Sequence, residues 1–233
     1  MIPDLSAWGP VADLRPMAGG ARRTLFCGTL RGQPVIAKSH AAPEPSLRWQ
    51  RRIEAAARRA GLVTPGLIPA ATGTLAAGGW TLEPHLPGRP GTPTDLATLP
   101  LARFHAAARD LPPRPGPAPR LPAGWARLAH IPGPEGSIHG DLHPGNLLRL
   151  PSGRLALLDW AEARRGPVAI DRAAPGSPTH LRAELAACAG PEPQRARAMA
   201  RALLTRPPRP RRAPDPTPRG SPPSPVTGRP PGA

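Results

Sequence analysis

Three side chains with oxygen donors stand close together in the middle of the chain, and their types suit a hard cation. Asp141 and Asn146 are five residues apart, and Asp159 follows further along. Carboxylate and amide oxygens that leave coordination positions open suit Mg²⁺ carried in on the phosphates of a nucleotide. A carboxylate beside such a cation can also accept the proton of an attacking hydroxyl. Asp141 could instead be a turn residue that bonds its own backbone, as Asp often does in loops rich in Gly and Pro.

A predicted β-hairpin explains how these side chains could meet. Residues 147–150 and 154–158 are two apolar runs, and the turn between them contains Pro151, Ser152 and Gly153. Such a pattern is typical of two antiparallel strands joined by a tight turn. We therefore expect the residues just before and just after the hairpin to lie side by side at one end.

The composition points to a further residue. The chain has a single lysine, Lys38, among 31 basic residues, and its single asparagine is Asn146. An ammonium is a compact point charge that the broad, planar guanidinium of arginine does not replace. The lone lysine therefore indicates a place where arginine will not serve, although chance survival is the alternative.

The segment IHGDLHPGNLL, residues 138–148, and the later LLDW, residues 157–160, resemble the catalytic and metal-binding motifs of the aminoglycoside phosphotransferase family. That family has a protein-kinase-like fold. The resemblance implies that Asp141 is the catalytic base and that Asn146 and Asp159 bind the metal. It further implies ATP and Mg²⁺ as cofactors and a hydroxyl of a small molecule as phosphate acceptor.

Weaker matches extend the resemblance to the first part of the chain. VIAK ends in Lys38, which falls where a kinase strand carries the lysine for the α- and β-phosphates. Glu54 falls on the glutamate that holds this lysine, and LEPHLPG, with Glu83 and His85, is similar to the hinge that binds adenine. Glu54 could instead be a solvated helix residue that pairs with a neighbouring arginine such as Arg51 or Arg58.

Two other segments also match the family. LARFHA, residues 101–106, is similar to a common helix motif, and Asp171 matches an acid that follows the metal site. His139 is expected to brace the catalytic loop rather than transfer protons.

The elements that would position these residues predict an α+β, two-lobed, protein-kinase-like fold. Residues 1–86 would form the nucleotide-binding lobe, residues 87–205 a shortened and mainly helical catalytic lobe, and residues 206–233 a disordered tail rich in Pro and Arg. In the first lobe we expect a small antiparallel sheet and one helix: strands at 24–30, 33–38, 67–75 and 80–82, and a helix at 46–60 capped by Ser46. In the second lobe we expect helices at 95–111, broken at Pro100, at 124–130 and within 180–204.

The charge and the cysteines leave other functions open. The net charge of +16 attracts phosphate-bearing partners of every kind. A nonspecific nucleic-acid-binding protein is therefore one alternative, weakened by the absence of a nucleic-acid-binding signature. A nucleotide-binding homologue without transferase activity is another, since the shortened second lobe could leave the acceptor site incomplete. Cys27 and Cys188 fit no metal or disulfide spacing. With no signal peptide or membrane span in the sequence, we expect a cytoplasmic protein with no membrane partner and no specific nucleic-acid partner.

Overall fold

The computed structural model describes residues 2–18, 23–116, 125–174, 176–189 and 192–205. The predicted tail at 206–233 lies outside the described residues.

The first part of the chain forms a four-stranded antiparallel sheet in sequential order. The predicted hairpin between its second and third strands is confirmed, and Arg31 and Gly32 form the two-residue turn with φ of 51° and 76°. Both angles are positive, as a tight hairpin turn with the native twist requires. The first strand was not predicted, because it is an exposed edge strand interrupted by Pro16. The strands are β1 (Val11–Met17), β2 (Leu25–Leu30), β3 (Gln33–Ser39) and β4 (Trp80–Pro84).

Helix α1 (Glu44–Arg59) crosses this sheet and confirms the predicted helix. The predicted cap is wrong, because the helix begins two residues earlier, after Pro43, and has a proline in its first turn. Ser46 is instead buried, and its hydroxyl accepts a hydrogen bond from Arg114 at 2.7 Å. At the other end Gly61 has a φ of 98°, which ends the helix as predicted.

The strand predicted at residues 67–75 is wrong. Only Ile68 pairs there, through an isolated bridge to Leu82. Pro69 has no amide hydrogen to give to a ladder, and Ala70 closes a local turn by donating to Thr74. The apolar composition of this segment reflects burial beneath the sheet and α1 rather than strand pairing.

The second part of the chain is mainly helical, as predicted. Pro100 separates two short helices, and the predicted helices near 124–130 and within 180–204 are present, although Gly124 lies outside the described residues. The helices are α2 (Pro93–Ala97), α3 (Leu101–Ala107), α4 (Ala126–Ala129), α5 (Pro178–Cys188) and α6 (Pro193–Leu204). None of the helices in the described part of the chain is long and apolar enough to cross a membrane.

Two small sheets carry the connecting loops of this part. One has the order β5-β7-β8, and the other pairs β6 with β9. Strands β5, β6 and β9 were not predicted, because their sequences RP, EGSI and RRGP contain glycine or proline and lack an apolar strand pattern. The strands are β5 (Arg89–Pro90), β6 (Glu135–Ile138), β7 (Leu147–Arg149), β8 (Leu155–Leu157) and β9 (Arg164–Pro167).

One apolar core joins the two parts. Trp49 and Ile53 from α1 belong to the same buried cluster as Phe104 of α3, Leu157 of β8 and Trp160. Burial of large side chains such as these is the main favourable term in folding, at about 2 kcal/mol for each of them. The first sheet, α1 and the hairpin β7–β8 are therefore held around one cleft.

Candidate active site

The hairpin β7–β8 brings the three oxygen-bearing residues together, as the sequence predicts. Its register pairs Leu147 with Leu157. One residue further on, the backbone amide of Leu158 donates to the carbonyl of Asn146 at 2.9 Å. Asp159 follows directly, so the carboxamide and the carboxylate flank the same end of the hairpin.

The carboxamide of Asn146 holds Asp141 in place. Its Nδ2 donates to the backbone carbonyl of Asp141 at 2.9 Å and to the carboxylate Oδ2 at 3.0 Å. The amide oxygen of Asn146 accepts no hydrogen bond from any described residue and is therefore available as a ligand. The carboxylate of Asp141 is 36% exposed, which leaves it open to a substrate. His143 lies 3.7 Å from that carboxylate.

His139 braces the loop that carries Asp141. It is fully buried; its Nε2 donates to the carbonyl of Leu158 at 2.8 Å, and its Nδ1 accepts from the amide of Asp141 at 3.3 Å. Both ring nitrogens are thus occupied by the backbone. Burial lowers the pKa of His139, which keeps the ring neutral. This geometry supports the predicted bracing role and links the catalytic loop to the strand that leads into Asp159.

Asp171 also fixes the backbone of the loop that carries Asp141. Its buried carboxylate accepts from the backbone amides of His139 at 3.0 Å and Gly140 at 2.9 Å. His105 of α3 donates to it through Nε2 at 2.9 Å. The sequence pointed to Asp171 and to the helix of His105 only as family matches, and it gave no signal that the two residues meet.

Gly140 is required by the close approach of two loops. Its φ is 85°, a conformation that side chains disfavour. A Cβ at this position would lie 2.5 Å from the carbonyl oxygen of Glu162. The catalytic loop and the segment after Asp159 therefore touch backbone to backbone.

Asp159 itself has a left-handed conformation, with φ of 51° and ψ of 71°. For a residue other than glycine this costs about 1–2 kcal/mol, so the surroundings must enforce it. The buried indole of Trp160 does so in part. Its Nε1 donates to the carbonyl of Leu157 at 3.0 Å, and its ring packs edge-on against Phe104 and His139, with centroids 5.7 and 4.8 Å away.

Lys38 lies on the other side of the cleft, and its partner differs from the predicted one. Its ammonium contacts the Oε1 of Glu83 at 2.5 Å, and both side chains are largely buried. The register of β3 and β4 pairs Lys38 with Thr81 and Ile36 with Glu83, which places lysine and glutamate on the same face of the sheet. Burial raises the pKa of Glu83, and the charge of Lys38 opposes this effect.

The expected pair between Lys38 and Glu54 is wrong for this structure. Glu54 is buried in α1, where it accepts from the side chain of Gln50 at 2.9 Å and lies 3.7 Å from Arg58. The ion pair with Arg58 agrees with the alternative interpretation of Glu54, in which it pairs with a neighbouring arginine of its own helix. Burial raises the pKa of Glu54 to about 7. Its Oε2 has no hydrogen-bond partner among the described residues, so a carboxylate near Lys38 remains only partly satisfied.

The predicted hinge follows β4. Here the backbone amide of His85 already donates to the carbonyl of Pro34 at 2.9 Å, and the His85 side chain points to solvent. Proline at 84 and 87 supplies no donor. Among the described hinge residues, the amides of Leu86 and Gly88 make no backbone hydrogen bond.

A narrow cleft joins the two sides. Lys38 and Asp159 both line it, as do further polar side chains: Arg23, His40, Gln50, Thr81 and Glu83. Burial, followed by the charges of Arg23 and Arg114, lowers the pKa of His40 to about 4, so this ring is neutral. Two cations, Arg23 and Lys38, line the cleft together with two acids, Glu83 and Asp159. Cations suit phosphate groups, and a carboxylate suits a metal ion bound with them.

The donor set fits Mg²⁺ that arrives with phosphates. Among the described residues, no group of three or more His, Cys, Asp or Glu side chains could hold a metal by itself. Asp159 and the amide oxygen of Asn146 would supply two hard ligands, and phosphate oxygens and water complete such sites.

The fold with this site defines the class: it is the protein-kinase-like fold of small-molecule phosphotransferases. Choline kinase LicA from Streptococcus pneumoniae superposes with a TM-score of 0.55 at 13% identity, over 85% of this chain and 95% of that chain. An aminoglycoside phosphotransferase from Alicyclobacillus acidocaldarius gives a TM-score of 0.54 at 16% identity, over 87% of this chain and 78% of that chain. A thermostable mutant of aminoglycoside phosphotransferase APH(4)-Ia, in a ternary complex with AMP-PNP and hygromycin B, gives 0.52 at 13% identity, over 84% and 93%.

The sequence is similar to one family over part of its length. Residues 97–199 match the model of the phosphotransferase enzyme family. This confirms the predicted resemblance over the part of the chain that carries Asp141, Asn146, Asp159 and Asp171. A search of curated proteins finds no match.

Proposed function

We propose that this protein is an ATP-dependent phosphotransferase that moves the γ-phosphate to a hydroxyl of a small molecule in the cytoplasm. One observation carries the proposal. Lys38 and Asp159 are 121 positions apart in sequence (159 minus 38) yet line one cleft. Asn146 flanks the same end of the hairpin as Asp159 and is hydrogen-bonded to the carboxylate of Asp141.

The nucleotide would lie between the two parts of the chain. Lys38 would neutralise the inner phosphates, and Asn146 and Asp159 would hold Mg²⁺ through their oxygens. Bound there, the cation would supply charge neutralisation for the phosphates. The AMP-PNP in the complex of the APH(4)-Ia mutant supports nucleotide use by enzymes of this fold. At the hinge, the amide of Leu86 is the donor we assign to adenine, since that of His85 is bonded to Pro34.

Asp141 would act on the acceptor. It would take the proton as the hydroxyl oxygen forms its bond to the γ-phosphorus and the bond from that phosphorus to the departing ADP oxygen breaks. Asn146 fixes the carboxylate, and His139 and Asp171 fix the backbone that carries it. Such positioning supplies most of the catalysis in phosphoryl transfer, because the protein makes little covalent contact with the moving group.

The acceptor class is a small hydroxyl compound. The similar structures include a choline kinase and an aminoglycoside phosphotransferase bound to hygromycin B. Amino alcohols, sugars, ketosamines, aminoglycosides and other antibiotics therefore form the panel of candidates.

The test compares Asp141→Asn with Asp110→Asn, a matched change at an exposed acid outside the site. ATP consumption and acceptor phosphorylation are measured over the panel, and AMP-PNP binding is measured by calorimetry. We expect Asp141→Asn to lower the transfer rate by about 10²–10⁴-fold while AMP-PNP binding is kept, and Asp110→Asn to match the wild type. Transfer that survives in Asp141→Asn at the wild-type rate contradicts the assignment.

A second candidate function is that of a nucleotide-binding homologue without transfer activity. The engagement of Lys38 by Glu83 favours it, because the lysine is then withheld from phosphate. AMP-PNP binding by the wild type without turnover on any acceptor would support this candidate instead.

A further inference from the structure

Arg114 makes the densest set of side-chain contacts near the cleft outside the catalytic loop. It lies in the proline-rich loop after α3. Its Nε donates to the hydroxyl of Ser46 at 2.7 Å. Its Nη1 donates to the carbonyls of Ala161 at 2.6 Å and Ala163 at 2.8 Å, with a longer contact to that of Trp160 at 3.5 Å. One guanidinium thus joins the start of α1 to the turn that follows Asp159.

The loop that carries Arg114 is itself fixed on α1. The indole Nε1 of Trp49 donates to the carbonyl of Pro112 at 2.6 Å. The guanidinium carbon of Arg114 lies 5.7 Å from the centroid of the same indole ring, within the range of a cation–π contact. Arg114 therefore approaches the turn from an anchored position, and its rigid planar fork limits where the carbonyls can lie.

Because the guanidinium of Arg114 is largely buried and charged, its N–H groups must donate hydrogen bonds to protein oxygens. Burial lowers the pKa of Arg114, Glu162 opposes that shift and Arg23 adds to it. Arginine nevertheless stays charged in proteins, so its donors must find oxygens. Most of those oxygens are backbone carbonyls at 160–163. The path of this turn is consequently set by Arg114, and so is the backbone immediately after Asp159.

We propose that Arg114 is a positioning residue for phosphoryl transfer: it holds the 160–163 turn against α1, so that Asp159 presents its carboxylate to the cation of the bound nucleotide. This inference rests on the proposed function. Arg114 acts through the backbone and makes no contact with Asp141 or Asn146. A lysine could not replace it, because one ammonium cannot span the hydroxyl of Ser46 and two carbonyls in the same fixed geometry.

The experiment compares Arg114→Gln and Arg114→Lys with Arg109→Gln, which removes an exposed arginine just after α3. The Mg²⁺ dependence of transfer is titrated, and AMP-PNP binding is measured with Mg²⁺ and with EDTA. We expect Arg114→Gln to need about tenfold more Mg²⁺ than Arg109→Gln, as for residues that orient a metal ligand, with equal AMP-PNP affinity in EDTA. Arg114→Lys should share the defect, and added guanidinium ion should restore Arg114→Gln toward the wild type.

A structural measurement separates this inference from the proposed function. Hydrogen–deuterium exchange should become faster in the peptide covering 157–165 of Arg114→Gln, with little change in the first sheet. An unchanged Mg²⁺ requirement would overturn the inference, and so would exchange that rises uniformly over the whole chain. If the wild type binds no AMP-PNP, the proposed function fails. In that case, hydrogen–deuterium exchange alone tests whether Arg114 holds the 160–163 turn. Unchanged exchange of the peptide 157–165 in Arg114→Gln would overturn the inference.

Discussion

The two sides of the cleft are built differently. On the side of the loop that carries Asp141, the polar groups of His139 and Asp171 and the amide nitrogen of Asn146 are hydrogen-bonded to backbone or to a neighbouring site residue. On the lysine side, Lys38 is engaged by Glu83, while Glu54 is buried with one oxygen unsatisfied. The first side is already arranged for its proposed task. The second would have to exchange partners when phosphates arrive, because Lys38 cannot serve Glu83 and a polyphosphate equally well.

Removing the carboxylate of Asp171 would disrupt the side of the cleft that carries Asp141. We expect this change to have the largest effect on stability and transfer rate. Asp171→Ala leaves the buried amides of His139 and Gly140 without an acceptor. We expect the free energy of unfolding to fall by about 3 kcal/mol, since hydrogen bonds to a buried charged group are lost. The transfer rate should fall by about 100-fold because the loop is no longer fixed. Urea unfolding and steady-state kinetics check this, with Asp110→Ala as the control; equal stability of the two variants would contradict it.

Removing the charge of Glu83 would test whether Lys38 must exchange partners when phosphates bind. In Glu83→Gln the ammonium keeps its place but loses its charged partner, and bound phosphates would then supply the missing negative charge. We expect the variant to be less stable without ligand and to bind AMP-PNP about three- to tenfold more tightly. Calorimetry measures the affinity, and Glu135→Gln, at an exposed acid on β6, is the control. Weaker AMP-PNP binding by Glu83→Gln would show that Glu83 orients Lys38 for phosphate and does not compete with it.

The buried acid Glu54 predicts a smaller effect, which depends on pH. Its pKa is raised from 4.5 to about 7 by burial. Between these values the unfolded carboxyl ionises while the native one stays protonated, so stability falls as pH rises through this window. The loss is on the order of 2–3 kcal/mol at pH 8 relative to pH 4. Glu83, Lys38 and Arg58 are the charged groups that act on Glu54.

The measurement for Glu54 is the difference between Glu54→Gln and the wild type in urea unfolding at several pH values. The difference cancels the other titrating groups, such as His40 with its pKa near 4. We expect the variant to gain stability relative to the wild type as pH rises from 4 to 8. A difference that does not vary with pH would mean that the pKa of Glu54 is the same in the native and the unfolded state, and it would contradict the prediction.

Local patterns allowed the catalytic loop to be predicted from the sequence. Asn146 and Asp159 meet because an apolar run, a turn and a second apolar run fix a hairpin, and strand register then sets which residues are neighbours. The helix that carries Glu54 was also predicted, since its alanine and arginine content and the glycine that follows it at 61 are local signals.

Contacts between distant elements were not predictable in the same way. Whether Lys38 meets Glu54 or Glu83 depends on how α1 rotates on the sheet, which local patterns do not determine. The bond between His105 and Asp171, and the contacts of Arg114 with the 160–163 turn, join segments 46 to 66 residues apart. The apolar segment 67–75 misled the prediction for a related reason: burial by neighbouring elements favours the same residues as a strand does.

The lone lysine has a practical consequence. In the whole sequence only one side chain is a primary amine, and the fold places it inside the cleft with 14% of its surface exposed. An amine-directed acylating reagent would therefore find a single reactive side chain in this protein, Lys38. Its reaction there would report directly whether the cleft is open or filled, with no competing lysine to obscure the signal.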